Sequence, residues 1–203
     1  MKKSLNYPVT LDQTVLQLVW QGFGIYLNNK RGIHILLQAI AVCKSKVLLT
    51  LQGYINNEQA GILNNYLNEL HIENIVCLVP PAPPDSIVES LLNYDVGLIG
   101  EIPEEDNQRL TSSNKLFDYI NAGLAVISPD IPGLNETLDE FNVGLKYEAG
   151  NVQALSAAID FLATDPVQLN RFKKASKEAA AASLYWEADY DPLIRYLISD
   201  ERS

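Results

Sequence analysis

Cysteine is almost missing from this chain, with two among 203 residues. Cys43 and Cys77 stand in apolar surroundings, "AIAVCKSK" and "NIVCLVP". They read as buried free thiols, which excludes a disulfide framework and the oxidising compartment it would imply. Histidine is as scarce. His34 and His71 lie far apart in no metal-ligand spacing, and read as ordinary helix-surface residues. Long apolar runs are missing too: none reaches the ~18–20 residues of a membrane span. The opening "MKKSLNYPVTLDQTVLQLVW" lacks the clean apolar core and cleavage site of a leader. The expectation is a cytoplasmic protein, peripheral to a membrane only through some other half or partner. Positive charge is short, with 15 Lys and Arg against 25 Asp and Glu, a net charge of −10. Such a surface repels nucleic acid and anionic lipid, so neither is expected as a main partner. An anionic ligand would need a local positive site set against the global field.

What is present is alternation. "TVLQLVWQG" (14–22) is an apolar, β-rich run that ends in glycine. "GIHILLQAIAVCK" has apolar residues at helical spacing. "KVLLTLQG" reads as a strand, "NNEQAGILNNYLNELH" as a helix and "NIVCLVP" as a strand stopped by "PPAPPD". "DSIVESLLNY" reads as a short helix capped by Asp85 or Ser86, and "DVGLIG" as a strand. The stretch "TSSNKLFDYINAGLAVISPDIPG" holds a helix, a buried strand and a turn. The short "VGLKY" and two or three C-terminal helices follow. Strand–helix alternation with near-continuous apolar strands predicts a Rossmann-like three-layer α/β/α domain with a parallel sheet of about six strands. One domain over 1–203 is expected, with 1–14 as lead-in and 165–203 as closing helices. "PPAPP" is a rigid loop rather than a boundary.

In such sheets ligands bind beyond the carboxyl ends of the strands. The loop after the first strand, "GFGIYLNNKRG", has neither the Gly-x-Gly-x-x-Gly fingerprint nor a P-loop, which argues against an NAD enzyme or an NTPase. Gly22 and Gly24 allow close backbone approach. Lys30 and Arg31 are either a solvated basic pair or, through Arg31, a bidentate phosphate clamp. At the helix opening, Ser113, Asn114 and Lys115 present successive amides, and Ser112 adds a hydroxyl. Lys115 adds a full charge, making a suitable seat for a diphosphate. Asp118, about a turn further in, could accept both hydroxyls of a ribose. Leu116, Phe117 and Ile120 would face the core. Ordinary helix capping and dipole preference account for the same residues equally well. The acid run "EIPEEDNQ" (101–108) reads as a mobile loop rather than a metal site. Glu136 either begins a short helix or lies near a sugar. There is no nucleophile elbow.

The ordered set "WQGFGIYLNNKRGIHILLQAI", "NIVCLVP", "LLNYDVGLIG", "SNKLFDYINAGLAVISPDIPGLNE" and "VGLKYEAGNVQALSAAI" resembles the C-terminal, nucleotide-sugar-binding half of GT-B glycosyltransferases of family 4, or group 1. The resemblance runs from about Val15 to the C-terminus. It implies that Gly22, Gly24 and Arg31 embrace the donor diphosphate, with Ser113, Asn114 and Lys115 from the helix start. It implies that Arg31 and Lys115 assist departure of the diphosphate, and that Asp118 replaces the usual ribose-binding glutamate. It places the nucleobase around Val79, Pro80 and Pro81. It implies no cofactor beyond the donor (UDP or GDP type left open), no obligatory metal, and retention of anomeric configuration. Two departures stand out. The second acid that many relatives carry eight residues earlier is Leu110 here. The chain also has no room for the N-terminal acceptor half.

The expected function is therefore the donor-binding domain of a glycosyltransferase, moving a sugar to a glycan or lipid-linked acceptor, possessing little activity alone. Surface polysaccharide synthesis is the pathway the family suggests. The alternative is a non-catalytic nucleotide-sugar-binding subunit for a separate N-terminal-half chain, or a degenerate fragment. A nucleotide-sugar epimerase of related fold is a third reading, disfavoured for want of an acid–base set.

Overall fold

The computed structural model describes residues 15–27, 32–102, 109–110 and 112–182. Six strands form one sheet in the order β3-β2-β1-β4-β5-β6, every neighbouring pair parallel. They are β1 (Leu16–Gly24), β2 (Val47–Tyr54), β3 (Val76–Val79), β4 (Val96–Leu98), β5 (Ala125–Pro129) and β6 (Gly144–Tyr147). The helices between and after them are α1 (Ile33–Val42), α2 (Asn57–Glu69), α3 (Ile87–Leu91), α4 (Asn114–Asn121), α5 (Pro132–Phe141), α6 (Val152–Thr164) and α7 (Pro166–Ala182). The three-layer fold expected from the alternation is the one observed.

Two apolar layers sandwich the sheet, and the strands show why. Successive side chains of β1 point to opposite faces. Leu18 and Trp20 join one cluster with Ile33, Leu36, Leu63, Leu155 and Ile159, whereas Val19 joins the other with Leu116, Tyr119, Leu134 and Val143. β5 splits likewise: Ala125 and Ile127 go one way, Val126 the other. Both faces are buried, which is why these strands read as unbroken apolar runs instead of alternating ones.

The caps follow side-chain chemistry. Asn56 accepts the Gln59 amide at 2.8 Å to open α2, and Asn151 accepts the Ala154 amide at 3.0 Å to open α6. Ser86 stands at the opening of α3 but makes no side-chain cap bond. The Pro-rich stretch is a loop followed by a 3-10 turn, Pro84–Ser86.

Several expectations need correction. β1 runs two residues further than its glycine suggests, so Gly22 and Gly24 lie in the strand, with a register irregularity between Gln21 and Gly24. Gly53 of β2 explains the close approach: a Cβ there would lie 2.6 Å from the Gly22 carbonyl oxygen. Cys43 and Cys77 are free but only half-buried. Burial nevertheless pushes the Cys43 thiol up to about 11, which leaves it unreactive. His71 is not on a helix face but in the turn after α2, with φ of 56°. Phe117 is half-buried, and Tyr119 takes the fully buried place instead. Lys30, Arg31 and most of the acid run lie outside the described residues, as do 1–14 and 183–203.

Chain order runs outward through β1, β2 and β3, then returns to place β4 on the other side of β1. The crevice of such a sheet opens at this reversal, beyond the carboxyl ends of β1 and β4. One side chain ties the two strands there. The Tyr119 hydroxyl accepts the Gln21 amide at 3.0 Å and donates to the Leu98 carbonyl at 3.2 Å. Its ring lies over β4 at Gly97, where a Cβ would come 2.2 Å from the ring. Gly97→Ala is therefore expected to destabilise by about 1–3 kcal/mol through overpacking, or roughly 2–10 °C in Tm. Gly61→Ala, on open surface within α2, should stabilise by up to ~1 kcal/mol. Thermal melts of both variants check the pair.

Candidate functional site

Two helices begin at the crevice. α1 follows β1, and its first residue stands behind Gly32, whose φ is +62° and whose position allows no side chain: a Cβ would meet the Gly100 carbonyl oxygen at 1.5 Å. α4 opens at Ser113. Neither Gly32 nor Ser113 makes a side-chain cap bond, so among the described residues both helix openings keep uncapped amides. The segment Gly100–Glu101, just past β4, contacts both. Gly100 lies against Gly32, while the Glu101 carboxylate bonds the α4 opening. Two partial positive poles thus meet at the topological switch point.

Lys115 adds a full charge. Its ammonium pairs with Glu101 Oε1 and lies 5.6 Å from the centre of the Trp20 ring. Ser113 Oγ donates to the same carboxylate oxygen at 3.3 Å. The hydroxyl expected to serve a ligand or a cap is thus turned to Glu101. Of the acid run, Glu101 at least is no solvated loop residue. Its side chain is 26% exposed, and Lys115's 12%. Among the described residues no group of acids, histidines or cysteines could hold a metal ion.

Asp118 lies one turn further along α4, half-buried. Gln21 Nε2 donates to its Oδ2 at 2.7 Å. Burial pushes the Asp118 carboxyl above its ordinary value, against the Gln21 hydrogen bond and the field of Lys115, which both lower it. Desolvation prevails over both, so burial disfavours the charged form of this carboxyl. Burial likewise raises the Tyr119 hydroxyl well above its ordinary value, so it remains a neutral donor.

Beside Asp118 a cleft of about 330 Å³ opens, lined by Gln21, Gly22, Phe23, Gln52, Pro81, Ala82, Pro84 and Ile87. That is the lower end of the range for small-molecule sites. Phe23 leaves 81% of its surface in water at the cleft. Gln52 is fixed by a 3.1 Å bond to Ser90 Oγ. The structure therefore brings Gly22, Asp118 and, through Gln21, the α4 opening to one place. Of the stretch expected near a base, Pro81 lines the cleft, whereas Val79 and Pro80 are not among its lining residues; nor is Gly24, expected near the diphosphate. Asn114 is exposed at the helix start, and Glu136 is exposed within α5. Sequence reading missed Gln21, Phe23, Gln52 and Glu101. Gln21 and Phe23 flank Gly22, a glycine expected to allow close backbone approach, which was the available signal; nothing local marks the Glu101–Lys115 pairing.

Comparison with known proteins agrees with this geometry. A family profile described as "Glycosyl transferases group 1" matches residues 26–179. No curated protein sequence matches. Among solved structures the chain is similar to Anabaena HepE in complex with UDP and glucose, at TM-score 0.76 and 17% identity, covering 92% of this chain and 49% of that one. It is similar to a sucrose-phosphate synthase from Thermosynechococcus elongatus, at TM-score 0.73 and 20% identity, covering 94% and 47%. It is also similar to the catalytic domain of a cholesterol-alpha-glucosyltransferase from Helicobacter pylori, at TM-score 0.63 and 18% identity, covering 82% and 97%. At these identities the likeness is one of fold, and the chain spans about half the length of the first two structures. With the profile spanning most of the chain and the sheet order of one GT-B half, the chain belongs to the group 1 glycosyltransferase family.

Proposed function

We propose that this chain is the donor-binding domain of a retaining family 4 glycosyltransferase, which holds a nucleotide-diphosphate sugar for transfer to a glycan or lipid-linked acceptor. The observation that carries this reading is Gln21. It lines the cleft and donates to Asp118 Oδ2, so a base in the cleft and a ribose on Asp118 would be adjacent. Phe23, Pro81 and Ala82 give an apolar lining for the base, and Val79 and Pro80 precede Pro81 in the chain. Asp118 accepts the ribose hydroxyls. Ser113, Asn114 and Lys115 at the α4 opening, the backbone at Gly22 and Gly24, and Arg31 receive the diphosphate. Lys115 and Arg31 stabilise the charge that grows on the departing diphosphate, and this domain's share of catalysis is electrostatic. HepE, bound to UDP-glucose in another of its structures, supports a nucleotide-sugar donor.

No described helix is long and apolar enough to cross a membrane; we place the reaction at the cytoplasmic side, in polysaccharide synthesis, with the acceptor site supplied by another half or chain. On this reading the chain alone binds donor and transfers little. Titration with UDP, GDP and ADP by calorimetry tests it. One nucleotide should bind at micromolar to sub-millimolar strength, and Asp118→Ala should weaken it about tenfold or more. Silence from all three would instead favour a non-catalytic subunit or a degenerate pocket, and robust transfer by the chain alone would refute the half-enzyme reading.

Asp118 also carries a stability prediction. Its folded-state pKa is raised from 3.8, so the folded chain holds that proton more tightly than the unfolded one. The stability this contributes is present below the ordinary value and lost as pH rises through the raised one. Asp118→Asn keeps an acceptor for Gln21 and removes the charge. It should raise Tm at pH 7 by a few degrees (~2–4 °C per kcal/mol for this size), with the gap closing in acid. The same variant should bind nucleotide more weakly. Melts at pH 4 and 7 check the sign.

A further inference from the structure

We infer that Glu101 is an internal counter-ion occupying the anion seat of this domain, and that a bound diphosphate must take Lys115 away from it. The inference rests on the donor-binding reading and adds a residue that limits affinity at that site.

A lysine in the first turn of a helix is disfavoured by the helix dipole, and Lys115 is also largely buried. Such a charge needs an anion. Asp118 lowers the imbalance only through its field and is held by Gln21. The Trp20 ring contributes a cation–π contact. Direct contact falls to Glu101, whose Oε1 takes both the Lys115 ammonium and the Ser113 hydroxyl. Its place is where the segment after β4 contacts the two uncapped helix openings, which is where an anionic ligand would be most favoured.

The pair is incomplete as a structural ion pair. Glu101 Oε2 is buried without a hydrogen-bond partner among the described residues, as is Trp20 Nε1 beneath the lysine. An ion pair retained for stability satisfies its remaining lone pairs, since an unpaired buried acceptor is costly. A carboxylate that uses one oxygen and strands the other has the character of a stand-in. A diphosphate brings more oxygens and more charge to the same donors, and releases Glu101 toward water.

The test uses the full chain with UDP, inorganic pyrophosphate and uridine as probes, for wild type, Glu101→Gln and Lys115→Met. Glu101→Gln should lower Tm without ligand, because Lys115 loses its counter-charge. It should bind UDP and pyrophosphate about threefold or more tighter, leave uridine unchanged, and show a larger Tm gain at saturating UDP than wild type. Lys115→Met should lose pyrophosphate binding. Wild-type UDP binding with unchanged or weaker binding by Glu101→Gln would overturn the inference and leave the donor-binding reading intact. Tightening seen in the glutamine variant alone would sustain both. No binding of pyrophosphate by either protein, with UDP, GDP and ADP all silent as well, would overturn both.

Discussion

The hydroxyl of Tyr119 joins the two strands between which the sheet reverses. Parallel strands on either side of a switch point diverge at their carboxyl ends, and that divergence makes a crevice. Left unbridged, the backbone amide of Gln21 and the carbonyl of Leu98 would be buried or half-buried polar groups in search of partners. Tyr119 satisfies both at once from α4, and Gly97 leaves the room for its ring. The position of α4 follows from this. With Tyr119 fixed, Asp118 faces β1 and meets Gln21, while Lys115, a turn earlier, reaches Glu101 after β4. The site is assembled by a packing constraint on its neighbour.

The electrostatics follow the same logic. The chain is acidic overall, yet one end of its sheet gathers two uncapped helix openings and a lysine. The protein's own carboxylates answer this local excess: Glu101 in contact, Asp118 at a distance. Neither is an economical choice for stability alone. Burial raises the Asp118 carboxyl above its ordinary value, and Glu101 Oε2 has no hydrogen-bond partner among the described residues. Groups held against their own solvation preference in a cleft are the usual mark of a binding site.

The fold was legible because a parallel sheet buries both faces, and the resulting apolar runs alternate visibly with helical spacing. "LAVIS" and "KVLLTLQG" needed no partner to be recognised as strands. Boundaries were less legible. Gly22 looks like the end of β1, but parallel pairing with β2 carries the strand to Gly24 through an irregular register. Local propensity loses there to a long-range hydrogen-bond ladder. Site residues on α4 were visible because helix-opening chemistry is local. Phe23 was not, since an exposed aromatic becomes informative only once the cleft beside it exists. Glu101 reads in the sequence as part of a mobile acidic loop, because an ion pair across 14 residues depends on where β4 ends. Arg31, the strongest cation candidate of the first loop, lies outside the described residues.

Gln21 shows how much one position can carry in such a domain. Its backbone amide holds Tyr119, its side-chain amide orients Asp118, and it lines the cleft. An aspartate is one methylene shorter than a glutamate, so the proposed ribose contact at Asp118 would need the strand to deliver the ligand closer to the helix. The irregularity between Gln21 and Gly24 changes the course of β1 at that point, and Gly53 opposite lets the Gly22 backbone approach β2. Strand course and acid length are therefore coupled. On the proposed reading, a ribose contact at position 118 would depend on the irregular register of β1 as well as on the carboxylate itself, and Gly22, Gly24 and Gly53 would belong to the site even where their backbone touches no ligand.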